Sequence, residues 1–103
     1  MATIRIMLAP VDILANAWRD LRSERAAEAI MPHLQRYEIS EGIATEKTGE
    51  DAAEEAFDLT NNPMRQEERE RVYGRGRSVS VGDVIDVDGK MFLCSSIGWK
   101  VLA

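Results

Sequence analysis

Apolar and polar positions change period several times along the chain, and each change predicts an element. "TIRIML" alternates, with Ile4 and Ile6 on one face, and Pro10 closes it, which predicts a first strand. A helix follows. Pro10 suits a first helical turn, Asp12 favours the positive end of the helix dipole, and Val11, Leu14, Trp18 and Leu21 recur at three-four spacing. Ala27, Ile30, Met31 and Leu34 make a second stripe, which at about 100° per residue falls nearly opposite the first. A break near Ser23, with Glu24 and the following alanines starting a second helix, resolves the conflict, and Pro32 keeps that helix short.

"RYEIS" predicts a short strand and "EGIATEKTGE" a loop. Glu50 to Leu59 has helical spacing, with Ala53, Ala56 and Phe57 as the buried face, and "TNNP" ends it. Asn62 before Pro63 makes an N-cap and first-turn pair, but "MRQEERERVYG" offers only Met64, Val72 and Tyr73 for burial, so it reads equally as a charged surface helix or an ordered loop.

"DVIDVDGKMFLCSS" predicts a β-hairpin closed by a two-residue type I′ turn at Asp88-Gly89. That turn pairs Val87 with Lys90 and Ile85 with Phe92, placing Ile85, Val87, Phe92 and Cys94 on one face and Val84, Met91 and Leu93 on the other. Both faces are largely apolar, which implies a covered or central hairpin, and "GWKVL" offers a third strand. In "SVSVGDV", Ser78 and Ser80 are expected to face one way and Val79 and Val81 the other. Trp18, Trp99 and Phe57 are expected in the core.

The fold class is therefore α+β, with an N-terminal strand and helices packed on a small antiparallel C-terminal sheet, the hairpin 84–87/90–95 plus a strand at 99–102. One domain spans 1–103: a strand and helices over 1–45, an acidic helix and arginine-rich segment over 50–77, and a hairpin module over 78–103. A chain of 103 residues with 45% hydrophobic side chains can bury one core.

Charge changes the picture. The net charge of −5 disfavours general adhesion to nucleic acid or anionic lipid, but the charges are segregated. Glu46, Glu50, Asp51, Glu54, Glu55 and Asp58 form an acidic segment, and Arg65, Arg69, Arg71, Arg75 and Arg77 a basic one. Cys94 is the only cysteine, which excludes an intramolecular disulfide, and with no Cys/His cluster no zinc site is expected. The apolar start is far short of the ~20 residues that span a bilayer, so a soluble, cytoplasmic protein is expected.

Little catalytic chemistry is legible. Asp86, Asp88 and Gly89 imitate the opening of a calcium loop, but Lys90 falls where the next ligand belongs. Glu50, Glu54 and Asp58 share a helical face with no histidine nearby. His33 and Cys94 would have to meet in space to form a nucleophilic pair, and Cys94 lies mid-strand on an apolar face, the setting of an inert thiol. No enzyme, metal or cofactor is expected. Two binding readings remain. The acids Glu46, Glu50, Asp51, Glu54, Glu55 and Asp58 suit a basic protein surface; alternatively Arg65, Arg69, Tyr73, Arg75 and Arg77 suit a nucleic acid, arginines holding phosphates and the tyrosine stacking a base. In the bland alternative, Arg65, Arg69 and Arg71 pair with Glu67, Glu68, Glu70 and the acidic helix upstream.

The core "SVSVGDVI…DGKMFLCSSIGW", within the last 47 or so residues, is similar to the YodL-like domain of antirestriction and polyvalent mobile-element proteins. The resemblance implies a phage or mobile-element protein in the host cytoplasm, acting on a host protein or protein–nucleic-acid complex. It supplies no catalytic residues. Self-association into a homodimer is compatible with this reading, and direct nucleic-acid binding is its second choice.

Overall fold

The computed structural model describes residues 1–16, 20, 24–74, 76–96 and 98–102. Its centre is an antiparallel sheet with helices on both faces, an α+β fold. In chain order come β1 (Ala2–Leu8), α1 (Val11–Asn16), α2 (Ala26–Ile30), a 3₁₀ turn (Met31–Arg36), β2 (Glu38–Ile39), β3 (Ile43–Thr45), α3 (Gly49–Asn61), a 3₁₀ turn (Pro63–Arg65), α4 (Gln66–Val72), β4 (Val84–Val87), β5 (Lys90–Ser95) and β6 (Gly98–Val101). Strand order is β2-β1-β4-β5-β6, and β3 also pairs with β1.

The alternation in β1 explains its position. Ile4 and Ile6 point to the α3 side and Met7 to the other, so the strand suits a sheet covered twice. β1 pairs with β4 through Ile4 opposite Val87 and Ile6 opposite Ile85. The N-terminal strand is thus not laid on a separate C-terminal sheet; it is the sheet's interior, and its backbone groups are satisfied by β4, β2 and β3 together with Ser40 and Asp88.

The hairpin takes the predicted register, Val87 opposite Lys90 and Ile85 opposite Phe92. Asp88 at φ 50° and Gly89 at φ 94° both occupy the left-handed region, as the I′ turn demands. Ile85, Val87, Phe92 and Cys94 face α3, whereas Val84, Leu93 and Met91 face α1 and α2. β6 runs over 98–101 rather than 99–102.

α3 lies on the sheet through Ala52, Ala53, Ala56 and Leu59, all buried. Phe57 is only half-buried, packing at the margin of this core. Small alanines let the helix approach closely, and Glu50 and Asp51 sit in its first turn, where the dipole favours them. The opposite face is covered by Ile13, Ala26, Ile30 and Tyr37.

Three local expectations are corrected. "EGIATEKTGE" is not all loop: Ile43 and Thr45 are buried and Ile43–Thr45 pairs with β1 as β3. Val79 and Val81 do not face the same way. Val79 sinks into the α3-side core and Val81 packs on the opposite one, because a turn begins at Ser80, with Asp83 N–H bonding Ser80 O at 3.0 Å and Gly82 taking φ 100° within it. α2 begins at Ala26 after Arg25, and Pro32 converts the chain beyond Ile30 to 3₁₀. Trp18, Leu21 and Ser23 lie outside the described residues. No helix among those described is long and apolar enough to cross a membrane.

Candidate functional site

The arginine segment is built inward. Arg65 follows the Pro63 turn, whose start is capped by Asn62 Oδ1 accepting from Met64 N–H at 2.9 Å. Its guanidinium faces Glu55 and Asp58 of α3 and Glu68 of α4, donating to Asp58 Oδ2 at 2.8 Å and to both Glu68 oxygens at 2.9 Å. One cation holds three carboxylates. Bonding to Arg65 holds Glu68 below the usual carboxylate range.

Arg69 caps the end of α3, donating to Thr60 O at 2.7 Å and to Ser78 Oγ at 3.0 Å, with a further bond to Gly76 O. Ser78 Oγ–H also reaches Thr60 O at 2.6 Å, and Val79 N–H donates to Thr60 Oγ1 at 3.0 Å. Tyr73 is half-buried, its hydroxyl donating to Arg77 O at 2.8 Å and its ring beneath the Arg69 guanidinium. Burial pushes its phenol up. The Tyr73 ring is therefore packed against protein rather than presented as a stacking platform.

Arg77 meets Asp83, a fully buried carboxylate that sequence reasoning did not single out. Asp83 Oδ1 accepts from Ala9 N–H at 2.8 Å and Arg77 Nη2 at 2.7 Å; Oδ2 accepts from Ser80 N–H at 2.8 Å and from Arg77 Nη1. Arg77 Nη2 also donates to Ala9 O at 2.9 Å, and beside this network Tyr37 Oη–H donates to Gly82 O at 2.7 Å. No buried side-chain polar atom among the described residues lacks a partner. The ring of bonds ties the end of β1 to the start of β4. A lone aspartate among Val81, Val84 and Ile85 was the available signal, since a buried carboxylate requires a cation.

Of the arginines and tyrosine considered for nucleic acid, Arg65, Arg69, Tyr73 and Arg77 are thus engaged within the fold, and Arg75 lies outside the described residues. The bland pairing holds for Arg65, with Glu68 and with Glu55 and Asp58 of the acidic helix; Arg69 bonds carbonyls and a hydroxyl.

The acids divide in two. Glu55 and Asp58 are drawn to Arg65, while Glu46, Glu50, Asp51 and Glu54 are exposed. Glu54 Oε2 accepts from Trp99 Nε1–H at 2.7 Å, joining α3 to β6. Trp99 stands edge-on to Phe57, with ring centroids 6.4 Å apart and planes at 84°. Beside this pair Glu54, Phe57, Cys94, Ser95, Gly98 and Trp99 line a cleft of about 160 Å³. The exposed acids, the aromatic pair and the cleft form one continuous region.

The remaining candidates are dispersed. Cys94 is buried in the α3-side core, and the turn carrying His33 packs on the opposite face through Leu34, so the sheet lies between them. Burial raises the Cys94 thiol to about 11. Asp86 Oδ1 accepts from Gly89 N–H at 2.9 Å and Asp88 Oδ1 from Thr3 N–H at 3.0 Å, so both carboxylates brace the turn. Among the described residues no three His, Cys, Asp or Glu side chains converge as metal ligands. Comparison with protein-family models, with curated proteins and with solved structures finds no match.

Proposed function

We infer that the chain is a non-enzymatic binding protein whose acidic face, Glu46, Glu50, Asp51 and Glu54, engages a basic surface of a larger complex. The observation that carries this reading is the orientation of the guanidinium groups. Arg65 is shared by three carboxylates, Arg69 is turned onto carbonyls and Arg77 onto Asp83, so these three cations are occupied within the fold, and Lys47 is the positive charge that stands among Glu46, Asp51 and Glu54. Complementary potential favours fast, selective capture of a basic partner. The YodL-like resemblance supplies the proposed setting: a phage or mobile-element protein in the host cytoplasm that inhibits or redirects a defence complex, as antirestriction or anti-CRISPR inhibitors do.

The test is retention of partners from bacterial lysate, with and without nuclease, by the protein and by a variant carrying Glu46→Lys, Glu50→Lys, Asp51→Lys and Glu54→Lys. A stoichiometric protein partner that survives nuclease and is lost by the variant supports the reading. Retention indifferent to the reversal overturns it, and retention that vanishes with nuclease transfers the function to the arginine segment.

A further inference from the structure

β6 ends the strand path, so one side of its backbone has no partner among the described residues. Antiparallel pairs alternate between residues that exchange hydrogen bonds and residues that turn their N–H and C=O outward. Here Ser95 lies opposite Gly98 and Leu93 opposite Lys100, and Leu102 N–H donates to Met91 O at 2.9 Å. These are the bonded positions. Trp99 and Val101, between them, therefore direct their N–H and C=O away from β5.

Edges of this kind are commonly blunted by proline, a bulge or a charge aimed along the open side. β6, "GWKV", has no proline and pairs with β5 without a bulge, and Lys100 alternates to the sheet face opposite Trp99. On the Trp99 side the neighbours are of another kind. Val101 is 53% exposed, Glu54 reaches down to the Trp99 indole, and Glu50 lies one helical turn before it on α3.

The geometry points to β6 as a receptor edge for an extended, basic segment of a partner protein, which adds as a further strand. Backbone bonds to Trp99 and Val101 hold it. Its alternate side chains turn toward α3, a lysine or arginine meeting Glu54 and Glu50 and an apolar side chain entering the Phe57–Trp99 cleft. This rests on the acidic-face reading and narrows it to one side of the molecule. Charge selects against a second copy as occupant: two-fold antiparallel pairing of β6 with itself sets both copies' Glu50 and Glu54 on the same face of the continuous sheet.

The probe is a fluorescein-labelled, end-blocked peptide of repeating Lys-Thr-Val-Thr, which sets lysine and valine in turn on one face of a strand, compared with its glutamate-for-lysine counterpart and with the same lysine–valine peptide N-methylated at alternate residues. Fluorescence anisotropy reads binding, and amide hydrogen exchange reads Trp99 and Val101. The lysine–valine peptide should bind saturably and slow exchange at both amides, and the glutamate peptide should not bind. Val101→Pro removes the outward N–H, a change edge strands tolerate, and should weaken binding about tenfold or more at an unchanged circular-dichroism melt, whereas Val101→Ala, which keeps the N–H, should bind more tightly than Val101→Pro. Should the proline variant fail to fold, N-methylation of the peptide applies the same test to the unaltered protein. Binding indifferent to both changes overturns the edge, as does concentration-dependent protection of the two amides without peptide, which would make a second copy the occupant. Loss of lysate partner in the Glu50→Lys/Glu54→Lys variant with full retention in Val101→Pro would sink the edge and spare the acidic face.

Discussion

Asp83→Asn isolates the bond network that closes the sheet. The change keeps side-chain volume but replaces one acceptor oxygen with an NH₂ group. Asp83 receives Ala9 N–H and Arg77 at one oxygen, Ser80 N–H and Arg77 at the other, so either amide orientation sets a donor against donors. Breaking a buried ion pair costs about 3–5 kcal/mol. Arg77 is 36% exposed and regains some hydration, so the lower end, about 3 kcal/mol, applies. Against a domain stability of roughly 5–15 kcal/mol this is a large share. In urea denaturation followed by circular dichroism, it shifts the midpoint by about 2 M at a slope of about 1.5 kcal/mol/M. Replacing both partners, Arg77→Met with Asp83→Leu, should destabilise less than the sum of the single changes, because neither charge is left unpaired. A loss below about 1 kcal/mol for Asp83→Asn, or strict additivity in the pair, would refute the reasoning.

Other expectations are more local. A Cβ on Gly76 would lie 2.5 Å from Tyr73 Oη, so Gly76→Ala should displace the ring and cost about 1–3 kcal/mol in the same denaturation assay. Cys94 should resist alkylation at pH 8 in the native state and react on addition of urea. Its thiol is raised from 9.0 to about 11, so the stability it contributes is present below pH 9 and falls as pH rises from there toward 11, a loss that Cys94→Ala should abolish. Asp12, bonded to Arg36, and Glu68, bonded to Arg65, are both held below the ordinary carboxylate range. What they contribute is present above that range and lost as pH falls through their folded values, so Glu68→Gln should flatten the acid limb of a stability–pH profile.

Legibility followed the range of the interactions. The hairpin register was readable because Asp88-Gly89 forces one turn and the turn fixes every pair after it. α3 was readable because its alanines, acids and the Asn62-Pro63 stop lie within one stretch. β3 was hidden because Ile43–Thr45 is a strand only through pairing with β1, and "IAT" is too short to show a period. The destinations of the arginines were equally hidden. Asp83 lies only six residues from Arg77, yet nothing local says that Ala9 completes the set. In the candidate site the acids were visible as a run, whereas the Glu54–Trp99 bond that joins them to β6 spans 45 residues.

The interior position of β1 carries a consequence for how the chain acquires its structure. Thr3 and Asp88 are bonded across 85 positions, and all of β1's pairing with β4 is of this range. The β4-β5-β6 meander can close its short loops early, but its β4 side stays open until the amino-terminal strand arrives. During synthesis β1 leaves the ribosome before its partner β4 and waits for every helix between them, with one edge unpaired. Refolding should therefore be slow for a domain of this size, with β1 docking as the limiting event, and Ile6→Val should retard folding to the extent that docking is complete in the transition state.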